Sequence, residues 1–120
     1  MDSQTTVSEL TEKVIQFRDA RNWLQFHNLK DLTIGLSIEA AELQELFLWK
    51  NDDEVLAYLQ SEEGRQRISE ELADVMIYVL YIAHGARIDL SEAVENKIRL
   101  NGEKYPVEKC WGEKKKYTDL

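Results

Sequence analysis

The chain has 120 residues, of which 43% are hydrophobic and 32% charged, and its formal net charge at pH 7 is −8. This length predicts one domain over residues 1–120, and the acidity argues against nucleic acid polymers and anionic membranes as partners, because both attract basic surfaces. No segment is long and apolar enough to predict a membrane span or a secretory signal, and a lone cysteine suits a reducing compartment, so a cytoplasmic location is expected.

Five glycines and a single proline interrupt the sequence so rarely that an all-α fold is predicted. Apolar periodicity and capping residues predict helices over about 7–21, 31–50, 54–59 and 62–86, and a last one from 89 to Pro106. Asp31, Ser61 and Asp89 are the predicted N-caps of the three longer helices after the first. The tail over residues 107–120 shows no helical period and contains the basic run Lys114 to Lys116.

Between the first two helices, residues 22–31 mix aromatic and polar side chains without a sustained period, which predicts a structured loop. Trp23, Phe26 and His27 are concentrated in it. The rings serve either as core anchors with a surface histidine or as a pocket for a base, and the pattern leaves both interpretations open.

The second helix carries two carboxylates on its apolar side. Glu39 and Glu42 lie about 60° apart on a helix and share a sector with Ile38, Leu43 and Leu46. In the long helix that follows, Glu71, Asp74 and Tyr78 form a stripe along the edge of the apolar face. If these two faces pack together, four carboxylates converge.

Ionised carboxylates are costly to bury unless they are paired or bind a metal, and no lysine or arginine shares either stripe. A divalent cation with oxygen ligands, such as magnesium that also holds substrate phosphates, is the simplest remedy. Three alternatives remain: an ordinary solvated acidic face, a di-iron carboxylate bundle, and a non-catalytic helical interaction module. The di-iron alternative is weak because neither histidine follows an acid by three positions.

The last helix presents Lys97 and Asn101 on one stripe, four residues apart. This stripe is either an ordinary wet helix face or a pair of side chains that hold phosphate and a sugar hydroxyl.

At its two acidic motifs the chain resembles the MazG-like superfamily of all-α nucleoside triphosphate pyrophosphohydrolases, whose signature is an E-x-x-E helix followed by an E-x-x-D helix. Within the superfamily it is most similar to the dCTP pyrophosphatase branch. The resemblance is carried by residues 21–27, 39–50, 70–78, 97–106 and 116–120.

This resemblance implies hydrolysis of a nucleoside triphosphate, with dCTP as the expected substrate, between the α and β phosphates, in nucleotide pool sanitation. It also implies which residues bind magnesium. The group that activates the attacking water stays open, with Glu42, Glu45 and a metal-bound hydroxide as the alternatives. The implied ligands are Glu39, Glu42, Glu71 and Asp74. The implied base pocket comprises Trp23, His27 and Trp49 with Tyr78 nearby, while Lys97 and Asn101 would face phosphate and sugar.

The resemblance also implies a four-helix-bundle fold assembled as a homotetramer, a dimer of dimers with pockets completed by adjoining chains. The interval from Lys50 to Ile68 is the least similar part. Because it adjoins the predicted site, dATP or another deoxynucleotide stays open as the preferred substrate.

Overall fold

The computed structural model describes all residues from 1 to 120, and every regular element in it is a helix. The all-α prediction is therefore confirmed. The α-helices run over Val7–Asp19 (α1), Leu29–Glu45 (α2), Asp52–Gln60 (α3), Glu62–Ala86 (α4), Leu90–Lys104 (α5) and Val107–Cys110 (α6). Single 3₁₀ turns occupy Leu24–Phe26 and Tyr117–Asp119. No helix combines the length and the apolar character needed to cross a membrane.

The chain divides into two compact units, Met1–Arg87 and Ile88–Leu120. In the first unit α4 is the central helix: it packs most extensively against α2 and also against α1 and α3. The buried hydrophobic side chains are Leu32 of α2 and Leu80, Tyr81 and Ala83 of α4. The core therefore follows the C-terminal half of α4.

Polar side chains cap the N-termini of helices α1 to α5 by accepting hydrogen bonds from amides of the first turn. Ser61 accepts a hydrogen bond from the Gly64 amide, which confirms the predicted start of α4. Asp89 accepts from the Glu92 amide at the start of α5. Arg87, in the left-handed conformation with φ of 57°, ends α4.

Two predicted helix ends were wrong. Helix α2 is capped by Asn28, whose side chain accepts from the Asp31 amide, so Asp31 lies in the first turn instead of capping it. At its other end α2 stops at Glu45 instead of continuing to Trp49 or Lys50. Residues 46–49 form turns, and the Lys50 ammonium donates to the Leu46 carbonyl at 2.6 Å, which satisfies a carbonyl that the helix leaves free.

Helix α3 begins two residues earlier than predicted, at Asp52, with Asn51 and Glu54 in a reciprocal capping box. A close approach joins it to α4, because a Cβ at Gly64 would overlap the Tyr58 carbonyl. In the second unit, the tail predicted to lack helix contains α6 and a 3₁₀ turn, with Tyr105 and Tyr117 packed edge to face at 6.2 Å.

Candidate functional site

Helices α2 and α4 bring three carboxylates together. Carboxylate oxygens of Glu39, Glu42 and Glu71, one from each residue, all lie within 4.8 Å of one another. We call these three residues the acidic cluster. Glu39 and Glu42 are adjacent on α2 by the three-residue spacing of a helix, and the packing of α4 on α2 adds Glu71.

The acidic cluster lacks internal compensation for its charge. Glu39 Oε2 and Glu71 Oε2 are buried and have no hydrogen-bond partner. Burial raises the pKa of Glu39 to about 7, assisted by a hydrogen bond with Glu42 and by the negative charges of Glu42, Asp74 and Glu71. Burial likewise raises the pKa of Glu71, with the charges of Glu42 and Asp74 adding to the effect. The site thus favours a proton or a cation.

These features fit a hard divalent cation. Such ions take carboxylate oxygens as ligands, and a bound ion would give the two orphaned oxygens the partners that the protein does not supply. Asp74 is half-buried, and its charge acts on Glu39 and on Glu71, although it lies outside the group of three converging oxygens. Glu45 also lies outside that group, at the last residue of α2.

A second concave region lies on the same two helices and the loop before them. It has a volume of about 280 Å³. We call it the aromatic pocket. Its lining residues are Trp23, Phe26, His27, Asp31, Leu32 and Tyr78.

Ring packing holds the walls of the aromatic pocket. Trp23 packs edge to face on Phe17 at 5.9 Å, and the His27 ring packs on Tyr81 at 4.6 Å. Tyr81 is itself fixed, because its hydroxyl donates to the Val14 carbonyl at 3.1 Å. The loop predicted over residues 22–31 is therefore structured, as expected, and its rings line a pocket rather than fill the core.

Tyr78 can line this pocket only because residue 35 is a glycine. A Cβ built on Gly35 would overlap the Tyr78 ring, with Cζ at 2.8 Å. The ring therefore packs directly on the backbone of α2.

The surroundings of His27 favour the neutral form of its imidazole. Burial lowers its pKa, and the nearby Arg18 guanidinium lowers it further. Its Nδ1 is buried without a hydrogen-bond partner. A neutral imidazole carries one donor and one acceptor nitrogen, so His27 can contribute polarity without charge.

Trp49 lies elsewhere. It adopts a left-handed backbone with φ of 64°, and 91% of its surface is exposed. With Glu45, Phe47 and Leu48 it lines a shallower depression of about 600 Å³. The structure therefore unites Trp23, His27 and Tyr78 but does not bring Trp49 to them, because α2 ends before that residue.

Lys97 and Asn101 are exposed side chains one turn apart on α5, in the second unit. Their spacing agrees with the predicted stripe. Their role toward phosphate and sugar stays a prediction.

Asp31 and Gly35 are pocket-forming residues that the sequence did not single out. Asp31 was interpreted as a helix cap, and a glycine inside a helical pattern carries no functional signal of its own. The available signal was the spacing of three and four residues between positions 28, 31 and 35, which carry small or polar residues.

The fold and the site define an all-helical protein in which two packed helices present a carboxylate site suited to a divalent cation, together with a ring-lined pocket. The model of the MazG-like family matches residues 34–120, which is well over half of the chain. The chain belongs to the MazG-like family, and the predicted membership is confirmed.

Curated relatives extend the similarity to nearly the whole chain. The protein named dCTP pyrophosphatase 1 in Bos taurus is 38% identical over 98% of this chain and 70% of its own length. Its Homo sapiens counterpart is 36% identical over 98% of this chain and 69% of its own length. The crystal structure of a pyrophosphatase from Archaeoglobus fulgidus is 41% identical, with a TM-score of 0.77, over 82% of this chain and 91% of that one. The predicted enzyme class, a nucleotide pyrophosphohydrolase, is confirmed.

Proposed function

We propose that this nucleotide pyrophosphohydrolase acts on a deoxynucleoside triphosphate, dCTP before the others, and uses magnesium at the acidic cluster. The products would be the monophosphate and pyrophosphate, and the cellular role would be sanitation of the nucleotide pool in the cytoplasm. The observation that carries the proposal is the convergence of three carboxylates within 4.8 Å, two of them with an orphaned buried oxygen. The proposed substrate base comes from the names of the relatives described above.

Glu39, Glu42 and Glu71 are the proposed metal ligands, with Asp74 as a fourth. Magnesium held by these residues would supply positive charge to neutralise the triphosphate and the departing pyrophosphate. Water adds across the α–β phosphoanhydride: its oxygen bonds to phosphorus, the bridging P–O bond breaks, and pyrophosphate leaves. The proton released by the water passes to a carboxylate, for which Glu42 and Glu45 are the candidates.

The aromatic pocket is the proposed base site. Trp23, His27 and Tyr78 provide rings for stacking and edge contacts, and a volume of about 280 Å³ lies at the lower end of small-molecule sites. A base fits this volume, whereas the triphosphate must extend out of it. Lys97 is proposed to bind the phosphates of the substrate, and Asn101 is proposed to bind its sugar.

A homotetramer, arranged as a dimer of dimers, is the proposed assembly. The buried apolar core is small. Two pairs of apolar side chains, each pair one helical turn apart, are exposed: Ile34 and Ile38 on α2, and Leu72 and Met76 on α4. Contact with a second chain would bury these pairs. In such an assembly, the exposed Trp49 is proposed to complete the base pocket of an adjoining chain.

A single domain over residues 1–120 remains part of the proposal. The family match over residues 34–120 extends across the boundary between the two compact units at residue 87, which supports one functional domain. Confirmation of the enzyme class removes the non-catalytic interaction module from consideration. A preference for dATP over dCTP is the alternative that remains.

The proposal is tested by phosphorus NMR of the purified protein with each common nucleoside and deoxynucleoside triphosphate. We expect dCTP to give dCMP and pyrophosphate in the presence of magnesium and to stay intact with a chelator. Release of single phosphates would contradict cleavage at the α–β bond. Survival of every triphosphate would contradict the proposed substrate class.

A further inference from the structure

Asp31 is the one carboxylate that lines the aromatic pocket. The lining also includes His27, whose pKa is lowered by burial and by the Arg18 guanidinium. The other lining residues are aromatic or aliphatic. A single charged acceptor in a ring-lined pocket is the kind of group that orients a ligand and selects among similar ligands.

The carboxylate of Asp31 is held in place by the cap of α2. Asn28 Nδ2 donates to Asp31 Oδ2 at 2.7 Å, and the Asp31 amide donates to Asn28 Oδ1 at 2.9 Å. The other carboxylate oxygen, Oδ1, has only the exposed Lys30 ammonium at 4.0 Å, which is a weak contact in water. One oxygen therefore fixes the carboxylate and the other is left as an acceptor.

An ionised carboxylate accepts hydrogen bonds and cannot donate them. The amino group on cytosine or adenine donates, whereas uracil and thymine present a carbonyl oxygen at the corresponding position. The carbonyl oxygen and the Asp31 carboxylate oxygen are both acceptors, so no hydrogen bond can form between them. A site built around a hydrogen bond rejects analogues that leave its polar group unpaired.

We propose that Asp31 determines base specificity by accepting a hydrogen bond from the exocyclic amino group of the bound base. The inference rests on the proposed function of the aromatic pocket as the base site. It selects dCTP and dATP against dUTP and dTTP.

The experiment compares the wild type, Asp31→Asn and the control Glu54→Gln. Glu54 is matched to Asp31 because it occupies the same position in α3, where Asn51 caps the helix and accepts from the Glu54 amide at 2.9 Å. Both changes remove one negative charge from a first turn. Binding of dCMP and of dUMP is measured by calorimetry, and hydrolysis of dCTP and of dUTP is measured alongside.

In Asp31→Asn the amide oxygen can still accept from Asn28, which leaves an amide N–H group for the base. We expect the preference for dCMP over dUMP to fall by about 10- to 100-fold, the range of one specific base contact. The preference should stay at the wild-type value in Glu54→Gln. Because each preference is a ratio within one preparation, partial unfolding of a variant does not change it.

Two outcomes overturn the inference: a wild type that binds dCMP and dUMP equally, or an Asp31→Asn variant that keeps the wild-type ratio. Either can occur while dCTP is still hydrolysed, in which case the proposed function survives. Conversely, an Asp31-dependent preference for dCMP in a protein that hydrolyses no triphosphate would support the inference and contradict the proposed function.

Discussion

The acidic cluster and the aromatic pocket are carried by the same two helices, yet they relate to stability in opposite ways. Tyr81, which packs on His27 of the pocket wall, has both a ring partner and a hydrogen bond, so its packing supports the fold. In the cluster, Glu39 and Glu71 each have an oxygen without a partner, and their pKa values are raised. The ring packing of the pocket is thus supplied by the chain alone, whereas the cluster leaves buried carboxylate oxygens for which a cation is the proposed partner.

The largest effect is expected from a change in the cluster. Glu71→Gln should lower the rate of pyrophosphate release by about 100-fold or more. Loss of a residue that only supports metal ligands lowers activity by up to about 100-fold, and Glu71 is a proposed ligand itself. The matched control is Glu70→Gln, because Glu70 is the exposed neighbour whose carboxylate accepts from Gln66 at 2.6 Å. Steady-state kinetics test this, and equal activities for the two variants would contradict the cluster as the catalytic centre.

The pocket can be altered without touching the cluster. Gly35→Ala would place a methyl group in the Tyr78 ring, and we expect a loss of about 1 to 3 kcal/mol of unfolding free energy, as overpacking costs, together with a higher KM. Gly102→Ala is the control, because its Cβ would meet no atom within 4 Å. Urea denaturation measures the stability, and an unchanged midpoint for Gly35→Ala would contradict the close packing of Tyr78 on α2.

The pH dependence of stability should distinguish the two regions. Between the ordinary pKa of 4.5 and the raised value of about 7, folded Glu39 holds a proton that the unfolded chain has lost. In the presence of a chelator, stability should therefore fall as pH rises through this window, and Glu39→Gln should flatten the decline.

Saturating magnesium should oppose that decline, because the ion binds the deprotonated carboxylates of the folded state. Denaturation at pH 5 and pH 8, with and without magnesium, measures both effects. A Glu39→Gln variant whose metal-free stability depends on pH in the same way as that of the wild type would contradict the proposed environment of Glu39.

The smallest effect concerns the two asparagine caps. Asn28→Ala and Asn51→Ala should each cost about 1 kcal/mol, the usual loss for a helix cap. Only Asn28→Ala releases the carboxylate of Asp31, so only this variant should also weaken the preference for dCMP over dUMP. Loss of that preference in both variants would indicate a general loosening of the structure and not a specific role for Asn28.

The acidic cluster could be predicted because it follows from helical periodicity. Glu39, Glu42 and Glu71 lie well inside α2 and α4, where three-residue spacing fixes which face a side chain occupies. The start of α4 was equally predictable from Ser61, a strong capping residue.

The aromatic pocket was less predictable because it depends on where helices end. Residues 46–48 remain apolar after α2 stops at Glu45, so their periodicity continues although the helix does not. Asn28 and Asp31 are both good caps, and only their reciprocal hydrogen bonds distinguish which one begins the helix. The position of Trp49 was not predictable because it depends on where α2 ends.

Exposure of Trp49 also gives the protein an optical property. An indole with 91% of its surface in water emits at longer wavelengths than one packed on another ring, as Trp23 is on Phe17. Any contact that covers Trp49, from a stacked base or from a neighbouring chain, removes water from its ring and moves its emission to shorter wavelengths. Trp111 is also 85% exposed, so a Trp111→Phe variant isolates this signal. In that variant the turn that ends α2 carries an intrinsic fluorescent reporter, and ligand binding and chain association can be followed without a label.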